Sequence, residues 1–186
     1  MWNVLSSQLL YARARSAGVS FICSKFVIYE CLFKPRRLTT DCDIEFQKRL
    51  LDAQASKDFQ SYQLDIDDLQ TVEILKRRKQ LGMGELSSLA LALKTRQALL
   101  TDDQRARRLT QQVIRDMNET VPNNPGHQTT PQLVGWLFFL GHLTDSDKEI
   151  VIQQHNAMNR PLEKHFREMY MEALRCRCMA GQADNT

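Results

Sequence analysis

Short apolar runs alternate with longer helical periods along this chain, and that alternation constrains its fold more than any other feature. Ala98-Leu99-Leu100-Thr101 is apolar and is followed at once by Asp102-Asp103, the pattern of a buried parallel strand feeding a helix. Val19-Ser20-Phe21-Ile22 is a second short strand. Ser24 then caps a helix from Lys25 to about Phe33, with Pro35 just past its end. Tyr62 to Ile66 alternates as a third strand. Asp67 caps a helix carrying Leu69, Val72 and Leu75, stopped at Gly82, and the next helix begins near Gly84 with Leu86, Leu89, Ala90 and Leu93 on one face. Strands alternating with helices predict the α/β class: a three-layer α/β/α sandwich with a small parallel sheet.

The flanks are helical. Val4 to Ala17 reads as a helix ended by Gly18, and Asp41 or Asp43 opens another with Ile44, Leu50, Leu51 and Ala53. Asn118 to His127 is rich in Pro, Asn and Gly and reads as a loop. Thr130 with Pro131 starts a helix stopped at Gly141, Thr144 caps the next, and Pro161 starts the last. Leu162, Phe166, Met169, Tyr170, Ala173 and Leu174 give that last helix an apolar stripe expected to face the core. The expected division is a sandwich domain over residues 1–143 and a helical C-terminal extension over 144–186.

Composition removes several classes. With 186 residues, 42% of them hydrophobic and 25% charged, the chain can bury a core and is not of a disordered type. Its apolar stretches are far short of the ~20 residues of a membrane span, so no membrane partner is expected. A net charge of +3 neither requires nor opposes nucleic acid. The five cysteines are scattered and odd in number, no signal peptide is read at the start, and a reducing, cytoplasmic setting is expected. Cys176 and Cys178 lack two further ligands nearby and read as ordinary thiols. The four histidines read as surface or half-buried imidazoles.

No phosphate loop, nucleophile elbow or His-Glu-x-x-His motif is present, and Gly82-Met83-Gly84 lacks the third glycine of a dinucleotide fingerprint. The carboxylates carry more information. Glu85 opens an apolar helix, Asp102 and Asp103 follow a strand, and Glu30 lies on the helix after the first visible strand. In parallel α/β sheets such positions gather at one edge. Acids meeting there repel one another unless a divalent cation neutralises them, and hard oxygen donors suit Mg²⁺ or Mn²⁺. Taken singly, Glu85 is also a first-turn acid favoured by the helix dipole, and Asp102-Asp103 a helix cap.

Leu81-Gly-Met-Gly-Glu-Leu-Ser-Ser-Leu-Ala-Leu-Ala followed by Leu99-Leu-Thr-Asp-Asp-Gln-Arg-Ala-Arg107 resembles the PIN domain family of metal-dependent ribonucleases. Val27-Ile-Tyr-Glu-Cys-Leu looks like the family helix bearing its second acid, and Pro131 to Leu143 like the segment after the last strand. The likeness spans roughly residues 1–145, most of it carried by Gly82 to Arg107. It implies that Glu30, Glu85 and Asp102 are metal ligands, with Asp103 a fourth ligand or a group behind them. The implied reaction is hydrolysis of RNA phosphodiesters with one or two divalent ions. Lys34, Arg36, Arg37, Arg105, Arg107 and Arg108 flank those acids and would steer a phosphate backbone toward them. Many small family members are toxins of toxin–antitoxin pairs, so the resemblance alone also implies an antitoxin-like partner and a homodimer.

One departure stands out. Asn3-Val4-Leu5 looks like the remainder of the family's first motif, which puts Met1 where the first metal-binding Asp belongs, with the strand before it missing. A start assigned too far downstream is the favoured explanation. Loss of one carboxylate is expected to weaken metal binding and catalysis strongly. Loss of a strand paired on both sides is expected to leave two open edges in mid-sheet. The rival expectations are a non-catalytic interaction module on the same fold and a helical binding protein acting through the last two helices.

Overall fold

In the computed structural model, which describes residues 2–35, 38–118 and 126–183, the first helical period is broken at Ser7. Helix α1 (Trp2–Ser6) ends there and α2 (Gln8–Ser16) begins. Ser7 is extended, and its Oγ accepts from Leu10 N at 3.0 Å while donating to Gln154 Oε1 at 2.7 Å. The carbonyls freed at the end of α1 are met by Arg49, whose Nη1 donates to Leu5 O at 3.0 Å and Ser6 O at 2.9 Å. Helical periodicity cannot reveal such a break, because a serine with a distant glutamine partner replaces the backbone ladder.

The chain is mixed α/β, mostly helical, and divides into two units. The first comprises Met1–Ser20, Asp41–Arg49 and Thr129–Thr186. It holds α1, α2, the first part of α4 (Asp41–Ala55), α8 (Thr130–Phe139), α9 (Asp145–Ala157) and α10 (Glu163–Ala183). Thr144 caps α9 reciprocally with Asp147, the Thr144 N–H donating to Asp147 Oδ2 at 3.0 Å and the Asp147 N–H to Thr144 Oγ1 at 3.2 Å. Helix α10 lies close along α8, where a Cβ on Gly135 would stand 3.1 Å from both Cβ and O of Met169. The expected boundary between residues 143 and 144 does not match this division, because the C-terminal helices pack with α8, α1 and α2. The α10 stripe faces inward, with Phe166 and Ala173 buried.

The second unit comprises Phe21–Thr40 and Leu50–Gln128. Its elements are β1 (Phe21–Ser24), α3 (Lys25–Leu32), the end of α4, β2 (Phe59–Tyr62), α5 (Ile66–Arg78), α6 (Met83–Thr95), β3 (Leu99–Leu100), α7 (Gln104–Asn118) and β4 (His127–Gln128). Strand β1 pairs in parallel with β2, Phe21 opposite Phe59, and β3 pairs in parallel with β4, Leu99 opposite His127. Instead of one small sheet, the described residues form two two-stranded sheets. Both pack on α6, whose Leu86, Leu89 and Ala90 join Val72, Leu75, Leu99, Leu109 and Val113 in the core.

Local shifts have clear causes. The third strand sits over 59–62 instead of 62–66 because Asp65, not Asp67, caps α5, reciprocally with Asp68, so the helix begins earlier. Phe59 is then buried, its ring stacked on Phe21 at 5.5 Å. Of the loop expected from 118 to 127, residues 119–125 lie outside the described residues. His155 is no surface imidazole. It is fully buried, with Nδ1 2.9 Å from Val151 O and Nε2 2.7 Å from Asn3 O. All five cysteines are free. Among the described residues no helix is long and apolar enough to cross a membrane.

Candidate functional site

Helix α6 (Met83–Thr95) has Gly82 as its N-cap, which offers no side chain to the first turn, and Glu85, three residues on, closes the cap from one side only. Its Oε2 accepts from the Gly82 N–H at 3.1 Å. Between them stands Gly84, which is buried. Helix α3 approaches α6 there, held by Ser24, whose Oγ caps α3 through Val27 N at 3.3 Å and meets the buried Ser87 Oγ at 2.6 Å. This approach seats the Glu30 carboxylate on the bare Cα of Gly84, beside Glu85. Two acids separated by more than fifty residues of chain thus share the first turn of α6.

The third acid comes from the turn between β3 and α7. Asp103 caps α7, its Oδ1 accepting from Ala106 N at 2.8 Å. Its charge reaches Glu85. Burial first, then the charges of Asp103 and Glu30, hold the Glu85 carboxyl above the ordinary carboxylate range. The Gly82 N–H and the Arg105 guanidinium pull the other way without cancelling the rise. Glu85 is therefore a carboxylate in excess negative charge, partly out of water.

The remaining expected residues fall as follows. Asp102 is half-buried just after β3, and the charge of its neighbour Asp103 acts on Glu85. Lys34 lies one turn after Glu30, its Nζ 3.8 Å from Glu30 Oε1, so it already partners one of the acids. Arg105 is exposed within electrostatic reach of Glu85. Arg36 lies outside the described residues. Gly84 stands in the Gly-x-Gly-Glu motif, but its task as the seat of Glu30 depends on a helix more than fifty residues away and is not visible in the motif itself. The available signal was a second glycine placed directly before the acid of a helix's first turn.

Hard carboxylate oxygens fit Mg²⁺ or Mn²⁺ in kind. Glu30, Glu85 and Asp103 supply them, and the caps described above use one oxygen each of Glu85 and Asp103. Among the described residues, however, no group of three or more His, Cys, Asp or Glu side chains is gathered closely enough to hold a metal directly. Mg²⁺ keeps several waters and is commonly held by one or two protein carboxylates. Glu30 and Glu85 are two carboxylates of this kind, the charge of the first acting on the second.

No family model matches the chain, and neither a curated protein nor a solved structure matches it.

Proposed function

We propose that the chain is a PIN-like, Mg²⁺- or Mn²⁺-dependent ribonuclease hydrolysing RNA phosphodiester bonds, with Glu30, Glu85 and Asp103 as its acidic centre and Asp102 beside them. The observation that carries this reading is the seating of Glu30 on Gly84 next to Glu85. A fold that only needed a helix cap has no use for a second carboxylate seated on the same turn, its charge acting on the first. Like charges placed together at the end of a parallel strand are tolerable when a divalent ion joins them. The finer fold reading, a three-layer α/β/α sandwich, belongs with this proposal and is supported by parallel strands packed on α6.

The ion, when bound, would supply an activated water and charge for the leaving oxygen. The chain's own part is separable from it. Glu30 and Glu85 would hold and orient, and Asp103 would keep the local field negative so that a cation is favoured over water alone. Lys34 and Arg105 would limit that field so that an anionic backbone can still approach.

A second reading, a non-catalytic module on the same fold, is favoured by the capping bonds that already occupy Glu85 and Asp103. Two measurements separate the readings. Labelled single-stranded RNA is incubated with the chain in Mg²⁺, Mn²⁺ or a chelator, and carboxyl carbon resonances are followed during a Mg²⁺ titration. The nuclease reading expects metal-dependent cleavage, at least tenfold lower in Glu30→Gln, Glu85→Gln and Asp103→Asn, with those carboxyl signals moving first. Absence of cleavage together with unmoved carboxyl signals establishes the second reading.

A further inference from the structure

Arg107 stands one helical turn beyond Asp103 on the same face of α7, its N–H donating to Asp103 O at 3.0 Å. Its Nε is buried and, among the described residues, meets no hydrogen-bond partner. A guanidinium keeps its charge at any physiological pH and offers five donors in a planar fork. A buried donor of this kind left unmet is costly to the fold, and the cost is recovered when an acceptor arrives.

The surroundings define what that acceptor is. His127 on β4 lies opposite Leu99 in the β3–β4 ladder, and the Thr101 N–H donates to Gln128 O at 2.9 Å, so β4 ends beside the turn carrying Asp102 and Asp103. The guanidinium acts on His127 directly: burial and the Arg107 charge together hold that imidazole below its usual range. Near neutral pH the pair therefore offers one permanent cation, half-buried with its Nε unmet, and one neutral ring. Lys34 is committed to Glu30 and Arg105 is exposed, so neither presents a desolvated donor of this kind.

We propose that Arg107, with His127 beside it, anchors a backbone phosphate of a single-stranded RNA one helical turn from the acidic centre. This rests on the nucleic-acid reading of that centre. The guanidinium fork matches two oxygens of a phosphodiester, while the acids hold their own negative charge a turn away. The backbone is thereby fixed at a site that does not itself repel it. Arg107 is a positioning residue in this scheme, acting by holding the strand and not by touching the bond that breaks.

The test uses a short single-stranded RNA fully 2′-O-methylated against cleavage, with binding followed by fluorescence anisotropy in chelator over a range of KCl. Arg107→Gln is expected to weaken binding about tenfold and to reduce the slope of log K against log salt by about one. Arg107→Lys is expected to keep the slope and lose part of the affinity, because a point charge lacks the fork. In the unaltered chain the Arg107 Nε–H resonance and the His127 ring protons are expected to shift when RNA binds; this reading stands even if a variant fails to fold. An unchanged slope in folded Arg107→Gln, an unmoved Nε–H resonance, or no RNA binding by the unaltered chain overturns the anchor. Arg107-dependent binding without cleavage in Mg²⁺ or Mn²⁺ supports the anchor and removes the nuclease reading, so the two fail separately.

Discussion

The carboxylate of Glu30 rests on the α-carbon of Gly84. A Cβ built on that glycine would collide with Glu30 Oε2, would lie 3.1 Å from its Cδ, and would only graze Val27 Cγ2 at 3.4 Å. Because the obstacle is the tip of a flexible side chain, Gly84→Ala is expected to leave the fold standing. Alanine's better helix propensity offsets the strain by up to about 1 kcal/mol. Glu30 must then leave its seat on the Gly84 turn. We expect the melting temperature to change little while Mn²⁺ affinity and RNA cleavage fall at least tenfold. Undiminished Mn²⁺ binding in Gly84→Ala would show that Glu30 has no part in the centre.

The raised Glu85 carboxyl makes a prediction in pH. A group that binds its proton more tightly in the folded chain adds stability below its unfolded pKa, about 4.3. That contribution is lost as pH rises through the folded value. Glu85→Gln keeps an oxygen for the Gly82 N–H and removes the charge. In chelator, the variant is therefore expected to melt higher than the unaltered chain at pH 7, the gap closing as pH falls toward 4. Mg²⁺ should reverse the order at pH 7 by stabilising only the unaltered chain. Parallel melting curves at every pH, with and without Mg²⁺, would remove both the charge excess and its proposed purpose.

Much of this arrangement was legible in the chain because it is local. The caps at Ser24 and Thr144, the acidic first turn at Asp41 and Asp43, and the inward face of Leu86, Leu89 and Ala90 follow from side chains that act within one turn. The positions of Glu85 and Asp103 in their helix caps are local in the same way. What stayed hidden depends on partners far along the chain. The break at Ser7 needs Gln154 and Arg49, and the burial of His155 needs Asn3. Strand β4 is only His127 and Gln128, held by backbone pairing with no apolar alternation to announce it. The division of the strands into two sheets is likewise a matter of which edges meet, and single strands do not encode it.

Gly135 offers the contrast to Gly84. The atoms nearest a Cβ there include the Met169 backbone oxygen at 3.1 Å, and a backbone cannot swing aside. Gly135→Ala must push α10 away from α8 along a face that also buries Phe166 and Ala173. A loss of about 1–3 kcal/mol is expected, as for other overpacked cores, despite the same gain in helix propensity. Denaturant unfolding of the two alanine variants side by side checks this: a midpoint for Gly135→Ala equal to that of the unaltered chain would mean the helices can separate freely.

His155 combines two contributions that substitution can divide. Its ring lies edge-on to Phe166 at 4.8 Å, fully buried, and its two nitrogens face the carbonyls of Val151 and Asn3. His155→Phe keeps the aromatic packing and leaves Asn3 O without the ring's hydrogen bond, which is expected to cost about 1–3 kcal/mol. His155→Ala adds a cavity to that loss and should cost more, about 3–5 kcal/mol by analogy with other buried aromatic truncations. Urea unfolding of both variants gives the difference. If His155→Phe were as stable as the unaltered chain, the ring would be filling space and the contact that joins α9 to α1 would contribute nothing.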